Sequence, residues 1–237
     1  MVLALTHLLA AYVVLAAPWL ARSWYQRARR RIASGIPHAK LRLYRGLVVE
    51  QIASTVAVLG LWRIAQLPAS SLGVVAPRSW GWTALVLIVI AVALVWSSLL
   101  LRPRAEKIRH KVQDSVGALI PDSRQERSWW GVVSVGAGVS EELVFRGFLL
   151  YYLSTYLPQM NTPERVLLAS LVFGMGHIYQ GWKGALGAGI LGLILAAFYL
   201  MTGSLLLPVL VHAAVDARVL LIFPPRMPQA AAAEETA

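Results

Sequence analysis

Apolar residues gather in seven runs along the chain, near 2–21, 47–67, 82–101, 129–156, 166–179, 184–201 and 205–223, and polar residues gather between them. A bilayer core about 30 Å thick takes roughly 20 residues of apolar helix to cross, so runs of this kind predict transmembrane helices. The fifth run is short for a span and the fourth is long. The Ser128-Trp129-Trp130 start of the fourth reads as an aromatic belt at the membrane interface. The first run lacks the basic flank of a cleaved signal peptide and reads as a retained helix. The pattern predicts an all-α fold, a polytopic membrane bundle of about seven transmembrane helices.

Composition supports this. The 237 residues are 58% hydrophobic and only 14% charged, with a mean hydropathy of +0.63, which suits one membrane domain and leaves no room for a large soluble one. Cysteine is absent, which excludes disulfides, thiolate metal sites and a cysteine nucleophile. The net charge of +11 would invite a nucleic-acid reading if it formed one patch, but it follows the connections between runs. Arg22, Arg27, Arg29, Arg30, Arg31, Lys40, Arg42 and Arg45 lie between the first two runs. Arg102, Arg104, Lys107, Arg109, Lys111, Arg124 and Arg127 lie between the third and fourth. The positive-inside rule makes both stretches cytoplasmic, puts the N-terminus outside and, with seven spans, the C-terminus inside. The expected partner of these charges is the anionic headgroup layer rather than nucleic acid. The Arg- and Ala-rich composition leans towards a bacterial plasma membrane. Nothing in the sequence sets an oligomeric state.

The acids carry more information because they are few. Glu50 lies close to a run's end, where it can snorkel, whereas Glu141, Glu142 and Asp216 lie deep in apolar runs. An unpaired charge at the centre of a span costs on the order of 3 kcal/mol, so a cluster of these acids with Arg146, His177 and His212 demands a polar interior. Glu142 and Arg146 are four apart and can pair along one helix face, while Glu141 is turned about 100° away and lacks that partner. Phe173 with His177, and His212 with Asp216, also share a face at a spacing of four. Helical rise places Glu141 and His212 both about 18 Å from the cytoplasmic side. A glutamate and two histidines at similar depth could hold one water, with or without a metal.

Glu-Glu-x-x-x-Arg at 141–146, Phe-x-x-x-His at 173–177 and His-x-x-x-Asp at 212–216 together resemble the three ordered motifs of the CAAX-protease and bacteriocin-processing (CPBP, or Abi) intramembrane proteases. The resemblance divides the chain into N-terminal helices (1–124), a catalytic membrane core (125–223) and a tail (224–237) whose composition reads as disordered. It implies an intramembrane endopeptidase, type II CAAX prenyl endopeptidase-like, entered from the cytoplasmic side or laterally, that cleaves a membrane-associated or C-terminal segment. In it Glu141 is the general base, His177 holds the water, and His212 with Asp216 stabilises the oxyanion. Glu142 and Arg146 become scaffold or substrate-binding groups, and Phe173 packs beneath the site. The family allows Asn where Asp216 stands. An ionised Asp cannot donate to an oxyanion, so Asp216 would have to be protonated, ligate a metal or, the favoured reading, orient His212 by accepting from its ring N–H. Glu141, His177 and His212 could also form a zinc set, although no His-Glu-x-x-His is present.

Other readings predict different features. A proton-coupled transporter would spread polar residues over many helices or show an internal repeat, and neither is evident. A catalytically silent immunity or scaffold protein of the same fold would look identical in sequence. His7, His38 and His110 are assigned no role. Gly184, Ala188 and Gly192 form a small-residue row expected to pack helices closely.

Overall fold

The computed structural model describes residues 1–226. Among them the chain forms seven helical rods: α1 (Val2–Ala33), α2 (Ala39–Ile64), α3 (Trp80–Val112), α4 (124–156), α5 (Thr162–Gly176), α6 (Trp182–Thr202) and α7 (Leu206–Ala217), the last followed by a turn of helix at Val219–Ile222. Local chemistry fixes several starts. The Ser79 hydroxyl accepts from the Trp82 N–H ahead of α3. Ser123 with Glu126 and Asn161 with Glu164 form reciprocal capping boxes at the starts of α4 and α5.

Four rods, α1, α2, α3 and α6, are long and apolar enough to cross a membrane. Their outward residues, among them Trp19, Val56, Val92, Trp96 and Leu186, are exposed to the surroundings, as expected where lipid is the solvent. The other three rods carry the polar residues. At 15 and 12 residues, α5 and α7 rise only about 22 and 18 Å. They lie against longer neighbours, α5 along α6 and α7 along α4, while α2 packs along the first half of α4. Glycines permit these approaches. A Cβ on Gly138 of α4 would lie 2.7 Å from the Val209 carbonyl of α7, and one on Gly174 of α5 would lie 2.7 Å from the Ala185 carbonyl of α6.

The basic stretches are not loops. They are helix extensions of α1 and α2 joined at 34–38, an extension of α3, and, for Arg124 and Arg127, the first turn of α4. Tyr25 donates to the Ser115 carbonyl at 2.6 Å, Arg29 to that of Asp114, and Lys40 pairs with Asp122. Both basic stretches therefore sit at one end of the bundle. Trp130 departs from the expected interfacial belt. It is buried and its indole N–H donates to the Asp216 carbonyl at 3.0 Å. The small-residue row is shifted by a helical position or so: Gly189 and Gly192 face Gly174 and Ser170, whereas Gly184 faces Gln180. The start of the tail is tied down, since the Arg226 N–H donates to the Asp122 carbonyl and its guanidinium to Glu106, each at 2.9 Å. The rest of the expected disordered tail lies outside the described residues.

Candidate active site

Glu142 is fully buried at the centre of the three polar rods. Its Oε1 accepts from Arg146 Nη1 at 2.7 Å and from His212 Nδ1 at 2.8 Å. Arg146 sits in a π-helical stretch, Leu143–Leu149, a widening of the helix often found at functional sites. Its second amino group donates to the Gly192 carbonyl of α6 at 2.9 Å, and its guanidinium lies 4.7 Å from the Phe173 ring centroid. One carboxylate thus joins α4 to α7, and one guanidinium joins α4 to α6 and α5. A buried charge of either sign would be costly alone, and this network distributes both.

His177 is placed by the end of α5. The helix stops at Gly176, leaving late carbonyls without intrahelical donors, and His177 Nδ1 donates to one of them, that of Phe173, at 2.8 Å. The Phe173 ring, buried between α4 and α7, lies 4.6 Å from the His177 ring and 5.8 Å from that of His212. Each histidine therefore spends Nδ1–H on a fixed acceptor and turns Nε2 towards the same space. Glu141 Oε2 faces that space, 3.7 Å from His177 Nε2 and 4.0 Å from His212 Nε2, with no hydrogen-bond partner of its own. Asp216 Oδ2 lies 3.8 Å from His212 Nε2.

This geometry alters one expected role. Spacing puts Asp216 on the face of His212, but the orienting acceptor on His212 Nδ1 is Glu142 from another helix. Asp216 borders the free Nε2 instead. A pairing across 70 residues leaves no trace in local spacing.

The separations also bear on zinc. Two imidazole nitrogens and a carboxylate are suitable zinc donors by chemistry, yet tetrahedral ligands about 2.0–2.1 Å from zinc stand roughly 3.4 Å apart. The separations of 3.7 and 4.0 Å fall between that figure and the roughly 4.6 Å expected of two partners about 2.8 Å from one tetrahedral water. Among the described residues no group of three such side chains is placed to hold a metal. As arranged, the space between the three groups admits one small bridging ligand.

One acid was misjudged from sequence. Because α2 begins at Ala39, Glu50 is three turns inside the helix and not at its end. It shares with Glu141 a cleft of 340 Å³ between α1, α2 and α4, walled by Leu9, Tyr12, Ser54 and Phe145. A signal exists: Glu50, Ala53, Ser54 and Ala57 follow the i, i+3, i+4, i+7 stripe of one helix face and are all small or polar.

Residues 124–218 match the family model described as type II CAAX prenyl endopeptidase Rce1-like. The match spans less than half of the chain, but it runs from the start of α4 to just past the end of α7 and contains all seven residues assembled above, from Glu141 to Asp216. No curated protein and no solved structure matches the chain.

Proposed function

From an integral membrane protein with an Rce1-like, CAAX-protease-type segment at 124–218, we propose that the chain is an intramembrane endopeptidase whose nucleophile is a water activated by Glu141. The observation that carries this reading is Glu141 Oε2, unpartnered and facing two histidine nitrogens whose opposite nitrogens are fixed. A water between them would give a proton to Glu141 while its oxygen attacks the scissile carbonyl carbon. His177 Nε2 accepts the water's second hydrogen and holds its lone pair towards the carbonyl. His212, doubly protonated against Glu142, presents Nε2–H to the developing oxyanion. When the intermediate collapses, the C–N bond breaks and Glu141 returns its proton to the leaving amine. Asp216 sits beside the oxyanion side of His212 and Arg146 holds the frame.

The substrate would reach Glu141 laterally through the cleft between α1 and α2, whose walls are apolar apart from Tyr12, Glu50, Ser54 and Ser140. The family description makes a prenylated C-terminal segment the first substrate to try. Membrane-peptide termini are compared in cells carrying the intact protein and Glu141→Gln at equal abundance. Termini that depend on Glu141 support the reading. Identical termini reject proteolysis and favour the immunity or scaffold alternative.

A further inference from the structure

On the side of the α2–α4 contact away from Glu141, the helices leave an open groove of about 770 Å³, walled by Val48, Ile52 and Val56 from α2 and by Val132, Val135 and Val139 from α4. That volume lies within the roughly 300–1,000 Å³ typical of ligand sites. At its basic end is a second hollow of 360 Å³, lined by His38, Arg42, Arg45 and Gln125. The register makes them one seam. Leu41, Arg45, Val48 and Ile52 advance by alternate fours and threes along α2, as do Gln125, Ser128, Val132 and Val135 along α4, so each set occupies a single helix face.

Charge changes along the seam. The nearby acids Asp122 and Glu126 lie within ion-pair distance of Lys40, and Asp122 also pairs with Arg109. His38, Arg42 and Arg45 pair with no carboxylate among the described residues, and Arg45 lies 5.4 Å over the Trp129 ring, where an interfacial aromatic would be expected. From Arg45 to Val56 the helix rises about 17 Å, close to half of a 30 Å hydrocarbon core, the depth of one leaflet. A second copy of the chain is the poorer occupant, because copies share one orientation in the membrane and would bring Arg42 and Arg45 against like charge.

We propose that this seam binds one anionic phospholipid, its phosphate held by Arg42 and Arg45 and an acyl chain lying along the valines towards Val139. The full chain is released from detergent containing equal phosphatidylglycerol and phosphatidylcholine, and bound lipid is read by native mass spectrometry. The intact protein is expected to retain one phosphatidylglycerol in preference. Arg42→Ala with Arg45→Ala should weaken that retention roughly tenfold, whereas the equal charge loss of Arg102→Ala with Arg104→Ala should not. Gly131→Leu is a second variant with both arginines intact; a Cβ there meets nothing within 4 Å, so the new side chain fills the groove without a clash and should also lower retention. Equal retention of the two lipids, equal loss in both arginine pairs, or a dimer broken by Gly131→Leu with lipid unchanged would each overturn the proposal.

Discussion

Two clefts flank the contact of α2 with α4, where Gln51 donates to the Val133 carbonyl at 3.1 Å. One holds Glu50 and Glu141 and the other is walled by valines. The residues that set them apart are sequence neighbours: Glu50 and Ser140-Glu141 face one way, Ile52 and Val139 the other. A turn of 100° per residue separates chemistry from lipid at the same membrane depth. The polar cleft is backed by α5 and α7, which bring His177 and His212 behind Glu141, whereas the valine groove has no ionisable residue in its lining, only Gln51, Thr55 and Ser128 as polar ones. A carboxylate becomes useful in a membrane where other helices supply its counterparts, and the same helix can offer lipid a plain surface half a turn away.

The largest effect should come from the frame of the polar cleft. Glu142→Leu leaves the Arg146 guanidinium and the His212 ring without their shared acceptor in a buried site, a loss of about 3–5 kcal/mol by analogy with broken buried ion pairs. Thermal unfolding in detergent should show a marked drop together with lost hydrolysis. A folded, active Glu142→Leu would mean that the pairing is incidental. Glu141→Gln tests the neighbouring carboxylate. It should keep the unfolding midpoint and lose roughly a hundred- to ten-thousandfold in kcat, the range for a missing general base. If the two variants behaved alike, the division between frame and base would be wrong.

Much of this division is legible in the sequence, and the limits are physical. Spacing of four within one helix announced the Glu142–Arg146 pair and the separate position of Glu141, since local geometry decides both. It also put His177 beside Phe173, though the contact uses the carbonyl released where α5 ends and not a regular helix face. The His212–Glu142 bond escaped because it depends on how α7 docks onto α4 across Gly138. Glu50 escapes because the arginines and lysines before the apolar run read as a connection, when they extend α2 beyond it. Trp130 reads as interfacial because a tryptophan near a run's end looks the same facing lipid or facing Asp216.

Chelation should matter less than either glutamate. The proposed nucleophile is a water held by protein groups alone, so exhaustive removal of divalent metal from the purified protein should leave hydrolysis unchanged. Activity lost on chelation and restored by zinc would show that the three groups draw together when loaded. A modest effect, well below either of those glutamates, should come from Glu50→Gln. Glu50 lines the approach to Glu141 and touches none of the paired groups, so kcat/KM should fall a few-fold through KM with kcat held. A fall in kcat alone would place Glu50 in the proton path.

The smallest expected effect on hydrolysis belongs to the valine groove, and it tests the comparison most directly. Gly131→Leu adds a side chain into open space on the apolar side of α4, ten residues before Glu141 and nearly three helical turns away. If the clefts are independent, kcat and KM are unchanged while lipid retention falls. If filling the groove slows hydrolysis with the unfolding midpoint intact, then the α2–α4 contact transmits strain from one cleft to the other. Gln51 is the residue to examine next, because its amide bridges the two helices and its Oε1 is buried without a partner. Gln51→Leu would remove that bridge, and a loss of the coupling in the double variant would locate the path.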